Sequence, residues 1–224
     1  MIQFTIPVNI RKPESFQTMN RCVIVGNADI NNYDRVKEYL KSDDFTVFCD
    51  GGLKHMEKLG VKPRLIVGDF DSGKDPHMDV ETITLPCEKD DTDTFYAVKE
   101  AVKRGFEEFL LAGVVGNRFD HTMGNISILL FLDSIGKKGR IIDDYSEMEI
   151  VSSRPVYVEE DYSYFSLLNM TGCAKGIKIE GAKYPLDDGE ITCDYQYGIS
   201  NEVLPGHKAC VSVGEGRLLL VKVF

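Results

Sequence analysis

The sequence has no tryptophan, no CxxC pair and no GxxxxGK[ST] phosphate loop, and no apolar run approaches the ~20 residues of a membrane helix. Its six cysteines (22, 49, 87, 173, 193 and 210) are too scattered for a zinc knuckle and read as reduced core thiols of a cytosolic protein. Basic residues are outnumbered, 26 Lys and Arg against 36 Asp and Glu, for a net charge of -10. That excludes a broad nucleic-acid face. It leaves room for a nucleotide whose phosphates a divalent ion neutralises, and for a small cationic substrate. The opening MIQFTIPVNIRKPESF lacks the basic start and apolar stretch of a signal peptide. The four histidines suggest no Ser–His–Asp or Cys–His arrangement; His55, His77 and His207 read as incidental. GEGR near the C-terminus lacks the setting of a dinucleotide fingerprint. No internal repeat, low-complexity tract or Pro/Ser-rich linker interrupts the chain.

What is present suffices for a sizeable core: 224 residues, 43% hydrophobic. Short apolar runs (RCVIVG, FTVFCD, RLIVGD, ETITLP, FEEFLLAG, RIIDDY) alternate with the helical patterns NYDRVKEYLK, GGLKHMEKLG, TDTFYAVKEAVKRG and DHTMGNISILLFLDSIG. Thr92 is placed to cap the third helix and Gly105 to stop it. This alternation predicts an α/β fold, a mostly parallel sheet with helices on both faces. Beyond about Glu147 only short segments rich in β-branched and aromatic residues remain, predicting an all-β sandwich. The expected division is 1–146 and 147–224.

In open α/β sheets ligands bind beyond the carboxyl ends of the strands. The six exits carry Gly26 and Asn27; Asp50, Gly51 and Gly52; Asp69 and Asp71; EKDDTD; GVVGNRFDH; and Asp143 with Asp144. Turn chemistry alone favours Asp and Gly in such loops. If the backbone stays extended, however, Asp69 and Asp71 point the same way and repel each other unless a cation lies near. Hard carboxylate oxygens suit Mg²⁺, and Asp93 at a helix start would complete the site. Gly51 and Gly52 serve either a tight turn or backbone contacts to phosphate. Arg118 can fork onto phosphate. Asp120 either caps a helix or borders a ligand, and His121 is a base, a nucleotide contact or a structural donor.

Together DGGLKHMEKLGVKPRLIVGDFDS, EKDDTDTFYAV, GNRFDHTMGNI, GAKYPL and GISNEV resemble, in order and over nearly the whole chain after Arg21, the thiamine pyrophosphokinase family. The resemblance implies a catalytic α/β domain, a C-terminal β-sandwich and a homodimer. It also implies a Mg²⁺-dependent reaction of ATP and thiamine to thiamine diphosphate and AMP. By matching position, Asp69, Asp71 and Asp93 would hold metal, and Asn27, Asp50, Gly51, Gly52, Thr92, Arg118, Asp120 and His121 would border the nucleotide. Asp71, Asp93 and Arg118 would be catalytic, and Lys89 a further source of charge stabilisation. Tyr184, Ser200 and Asn201 would hold thiamine, the β-domain of one subunit closing the site of the other. The chain departs from the family at Asn117, where a second glycine is usual, at Gly73, where an aliphatic residue is common, and at Tyr184, where the family usually has tryptophan.

Overall fold

The computed structural model describes residues 20–70, 78–86, 88, 90–116 and 118–224. Strands β1 (Arg21–Val25), β2 (Phe45–Cys49), β3 (Leu65–Gly68) and β5 (Glu108–Ala112) are near-continuous apolar runs, buried at almost every position. That is the signature of parallel strands covered on both faces. β4 (Glu81–Thr84) is polar and exposed because it forms the sheet edge. Helices α1 (Tyr33–Glu38) and α2 (Met56–Leu59) cover Val23, Val25, Phe48 and Leu110 on one face. α3 (Asp93–Lys103) and α4 (Phe119–Ser134) cover Cys22, Ile24, Val47 and Leu111 on the other. GGLKHMEKLG, expected as one short helix, is instead a 3-10 segment, Asp50–His55, running into the single turn of α2. Gly60 ends that turn at φ 71°, where a side chain is disfavoured.

β6 (Lys138–Ile142) completes the parallel set, and β7 (Ser146–Val151) turns back antiparallel to it. The remaining strands are β8 (Val156–Val158), β9 (Tyr164–Asn169), β10 (Cys173–Glu180), β11 (Leu186–Thr192), β12 (Gly198–Asn201), β13 (Ala209–Ser212) and β14 (Leu218–Val223). One ten-stranded sheet, in the order β12-β9-β14-β7-β6-β5-β1-β2-β3-β4, runs through both halves of the chain. A second, antiparallel sheet, β11-β10-β13-β8, lies over its far end. Val151, Phe165, Leu167, Leu218 and Leu220 from the large sheet meet Ala174, Ile177, Ile191 and Val211 from the small one, so the all-β part is a sandwich with one layer borrowed from the main sheet.

β7 has no counterpart among the strands read from the sequence. Its stretch SEMEIV carries Glu147 and Glu149, and Glu147 is only 2% exposed. Its cation is Lys222, the cross-strand partner on β14, whose Nζ lies 2.7 Å from both carboxylates. A partner 75 residues away leaves no local periodicity to read.

Candidate active site

The strand order reverses between β1 and β5, the place where an open α/β sheet parts its loops and makes a crevice. The two exits first run together, with Gly26 N–H donating to the Ala112 carbonyl at 2.9 Å and Ala28 N–H to that of Gly113 at 2.8 Å. A Cβ on Gly26 would lie 2.6 Å from the Gly113 oxygen, so only glycine permits this approach. Beyond it the loops diverge around a cleft of about 760 Å³. Asn27, Asp29, Asp50, Lys54, Asp69, Thr92, Asp93, Arg118 and His121 are among the residues lining it.

At the cleft wall, carboxylate oxygens of Asp50, Asp69 and Asp93 lie within 4.8 Å of one another. They come from three places: the exit of β2, the exit of β3 and the first turn of α3. Gly68 makes the meeting possible, because a Cβ there would sit 2.9 Å from the Asp50 Cβ. Asp50 itself adopts φ 35°, a left-handed conformation that costs a non-glycine residue free energy and recurs at functional sites. Thr92 fixes the start of α3 as expected, its hydroxyl accepting from Phe95 N–H at 3.2 Å. Three half-buried carboxylates at this spacing repel one another unless a cation is shared between them, and an all-oxygen donor set fits Mg²⁺.

The route by which the sequence arrived at a carboxylate cluster is corrected in one respect. Phe70 has φ 53°, so the chain is not extended between Asp69 and Asp71 and the alternation argument fails there. Asp71 itself lies outside the described residues, as do Lys89, Asn117, His77 and Gly73. Among the described residues the third carboxylate is Asp50, whose position in the family motif borders the nucleotide.

Several framing residues were not anticipated. His55 is almost fully buried, one ring nitrogen 2.7 Å from the Tyr33 hydroxyl and the other 2.8 Å from the Ala28 carbonyl. Burial holds its pKa below the usual histidine range despite the Ala28 bond. A neutral ring that donates to Ala28 and accepts from Tyr33 satisfies both contacts. On the opposite wall Asn125 Nδ2 donates to the Val114 carbonyl at 2.8 Å, and the Thr122 hydroxyl accepts from Gly116 N–H at 3.1 Å. α4 thus holds the β5 exit loop. The sixth exit serves structure: Asp144 accepts from Asn31 and Asn32 N–H at 3.0 and 2.8 Å, and Asp143 accepts from Ser146 N–H at 2.6 Å.

Residues 36–140 match the family model of the thiamin pyrophosphokinase catalytic domain, and residues 155–218 match that family's vitamin B1 binding domain. The chain belongs to the thiamin pyrophosphokinase family. A thiamine pyrophosphokinase of Bacillus subtilis is 26% identical over 207 residues, covering 89% of this chain and 96% of that one. The crystal structure of the Bacillus subtilis protein superposes with TM-score 0.81 at 23% identity, covering 91% of this chain and 98% of the other. That of a Geobacillus thermodenitrificans thiamin pyrophosphokinase gives 0.77 at 25% identity, covering 91% and 97%. Yeast thiamin pyrophosphokinase shares the fold at TM-score 0.69 and 15% identity, covering 95% and 88%.

Of the residues that the family motifs single out, Asn27, Asp50, Asp69, Thr92, Asp93, Arg118 and His121 line one cleft. Gly51 and Gly52 stand behind it, packing the 3-10 segment onto the β1 exit; a Cβ on Gly51 would meet the Asn27 side chain at 2.6 Å. Asp120 is not among the lining residues. It binds Arg118 through two bonds, 3.0 and 2.7 Å, which hold its carboxyl well below the usual range. Tyr184, Ser200 and Asn201 lie elsewhere, at the β12 end of the sheet. Asn201 is buried, its side chain accepting from Tyr184 N–H at 3.0 Å and donating to the Tyr184 carbonyl at 2.7 Å. Ser200 has φ 58°, its N–H donating to Ser166 Oγ at 3.0 Å. The Tyr184 ring is exposed, with Lys183 Nζ 5.6 Å from its centroid.

Proposed function

We propose that this chain transfers the diphosphoryl group of ATP to the hydroxyl of thiamine, giving thiamine diphosphate and AMP. The observation that carries the reading is the convergence of Asp50, Asp69 and Asp93 in the switch-point cleft of a chain bearing both family domains in order. The thiamine oxygen attacks the β-phosphorus, the bond from that phosphorus to the α,β-bridging oxygen breaks, and AMP leaves. Such a transfer needs alignment and charge neutralisation more than covalent help. Asp50, Asp69 and Asp93, with Asp71 by family position, would hold Mg²⁺, which when bound neutralises phosphate charge. Asn27, Thr92 and His121 border the nucleotide. Arg118, exposed and paired with Asp120, turns to the phosphates, and Lys89 adds a second cation. A cleft aspartate takes the hydroxyl proton.

Tyr184 offers a ring face to the thiazolium cation. Ser200 faces the aminopyrimidine, and Asn201 acts by fixing the Tyr184 backbone. β12 is five strands from β5 in the sheet, about 24 Å at ordinary strand spacing. Thiamine held at Tyr184 is therefore out of reach of its own chain's cleft. A homodimer in which residues 147–224 of one protomer close the cleft in residues 1–146 of its partner resolves the separation. We place the enzyme in the cytoplasm, where ATP and Mg²⁺ are available; the five described cysteines are free thiols. Neither nucleic acid nor membrane enters the reading, and no described helix is long and apolar enough to cross a bilayer.

The test is incubation with ATP, Mg²⁺ and thiamine, followed by product analysis. AMP with thiamine diphosphate is expected. ADP would indicate a simple kinase, and thiamine binding without turnover a sensor. Full activity of a monomer at high dilution would sink the shared site.

A further inference from the structure

The cleft is acidic where an anionic nucleotide must enter. Among the described residues lining it, five are aspartates, and Lys54 and Arg118 carry the fixed positive charge. Lys54 lies on the 3-10 segment, four residues after Asp50, and its Nζ reaches over the β1 exit to Asp29 Oδ1 at 2.9 Å. Its neighbour His55 bonds the residue beside Asp29, the Ala28 carbonyl, at 2.8 Å. Two adjacent residues thus grip two adjacent residues, in opposite ways. The His55 contact is buried and fixes the spacing of the two cleft walls. The Lys54 pair is open to water, with 43% and 73% of the two side chains exposed, so solvent screens it and it separates easily. The ammonium holds the Asp29 carboxyl below the ordinary range, first through the hydrogen bond and then through its charge.

We infer that Lys54 is a phosphate-binding residue of the cleft, parked on Asp29 in the free protein and transferred to the polyphosphate of the bound nucleotide. This rests on the nucleotide reading of the same cleft. A flexible four-carbon stem on a fixed backbone lets the ammonium exchange one oxygen anion for another without moving the walls. Asp29 then acts as a competitor for Lys54, and its removal should help binding.

Equilibrium binding of ATP to the full-length protein in EDTA separates these roles without reference to turnover. Lys54→Met should weaken ATP binding about tenfold, the loss of one charge-assisted phosphate contact, and should weaken AMP less. Asp29→Asn should tighten ATP binding two- to fivefold, a gain that vanishes in the K54M background. Both variants should melt within a few degrees of the wild type. Unchanged ATP binding by K54M, or weakening by D29N comparable to that of K54M, overturns the inference while normal wild-type binding leaves the nucleotide reading intact. Failure of the wild type to bind ATP with or without Mg²⁺ overturns both.

Discussion

The chain gathers carboxylates in two places and treats them in opposite ways. At the junction of the two halves, Glu147 sits 2% exposed beside Lys222, 5% exposed. It accepts from Lys222 Nζ at 2.7 Å and from the Tyr162 hydroxyl at 2.8 Å, while Arg140 stands 3.4 Å away. Tyr162 in turn meets the Tyr39 hydroxyl at 3.3 Å and stacks on Phe224. The buried Glu147 thus has its complement supplied by the fold, and the network ties β7, β14 and α1 together. In the cleft, Asp50, Asp69 and Asp93 converge on one another instead, on backbone that is left-handed at Asp50 and Phe70. A carboxylate answered by the protein's own cation is structure. Three carboxylates gathered within 4.8 Å of one another make a place suited to a shared cation.

The largest effect expected from breaking this contrast is on catalysis. Asp93→Asn should lower the rate of AMP formation by about 100-fold or more, the scale of losing one positioned electrostatic group. Because the change relieves repulsion among three carboxylates, the melting temperature of the metal-free protein should stay level or rise. Added Mg²⁺ should raise the wild-type melting temperature and leave the variant's nearly unchanged. Near-normal turnover by D93N would remove it from the metal set.

The same kind of edit at the junction should do the reverse. Lys222→Met leaves Glu147 buried without its ammonium and should cost about 3 kcal/mol of stability or more by chemical denaturation. Burial pushes the Glu147 carboxyl up, but Lys222 and Tyr162 outweigh it and hold the group below its ordinary value. A depressed carboxylate stabilises the fold fully above its unfolded pKa and loses that contribution as pH falls through the folded one. Wild-type stability should therefore decline below about pH 4.5, whereas in K222M, where only Tyr162 and Arg140 still oppose burial, this acid-side decline should shrink or reverse. Identical pH profiles for the two would remove Lys222 as the cause.

The contrast also explains what could be read in advance. The parallel core was legible because strands such as RCVIV are buried on both faces and need no long-range information. The exits of those strands made Asp69 and Asp93 legible as carboxylates that meet in the cleft. The nearness of Asp50 to Asp69 and Asp93 was not legible, because it depends on Gly68 admitting Asp50 beside β3 and on a left-handed φ that no local pattern announces. β7 was hidden for the opposite reason: its glutamates look like surface until Lys222 is brought beside them. His55 looked idle because its two partners, Tyr33 and Ala28, lie 22 and 27 residues before it.

His55 tests whether the cleft needs a buried brace beneath its exposed charges. His55→Leu strands the Tyr33 hydroxyl and the Ala28 carbonyl, and should cost about 1–3 kcal/mol. It should also raise the KM for ATP more than it lowers kcat, since it loosens a wall without touching the reacting atoms. Because burial depresses the histidine pKa, its contribution is complete above the ordinary histidine range and fades as pH falls through the lowered value. Rescue of KM by His55→Gln, which can still donate one bond, would separate bracing from bulk. A kcat loss with unchanged KM would count against the brace.

The smallest effect lies at the far end of the sheet, where the charge at issue is a cation on a ring. Lys183 Nζ lies over the Tyr184 ring and also binds Glu202 at 2.8 Å, so this face already attracts a cation. Tyr184→Ala should weaken thiamine binding about fivefold, near 1 kcal/mol for an exposed cation–π contact, and leave ATP binding unchanged. Tyr184→Trp enlarges the π-face and should tighten thiamine binding by a smaller factor. The ring adds to affinity only if the thiazolium prefers it to water more strongly than Lys183 does. Lys183→Met should therefore tighten thiamine binding if the two cations compete for one face, and leave it unchanged if they use opposite faces. Weakening by K183M equal to that by Y184A would show that the pair acts only as scaffold.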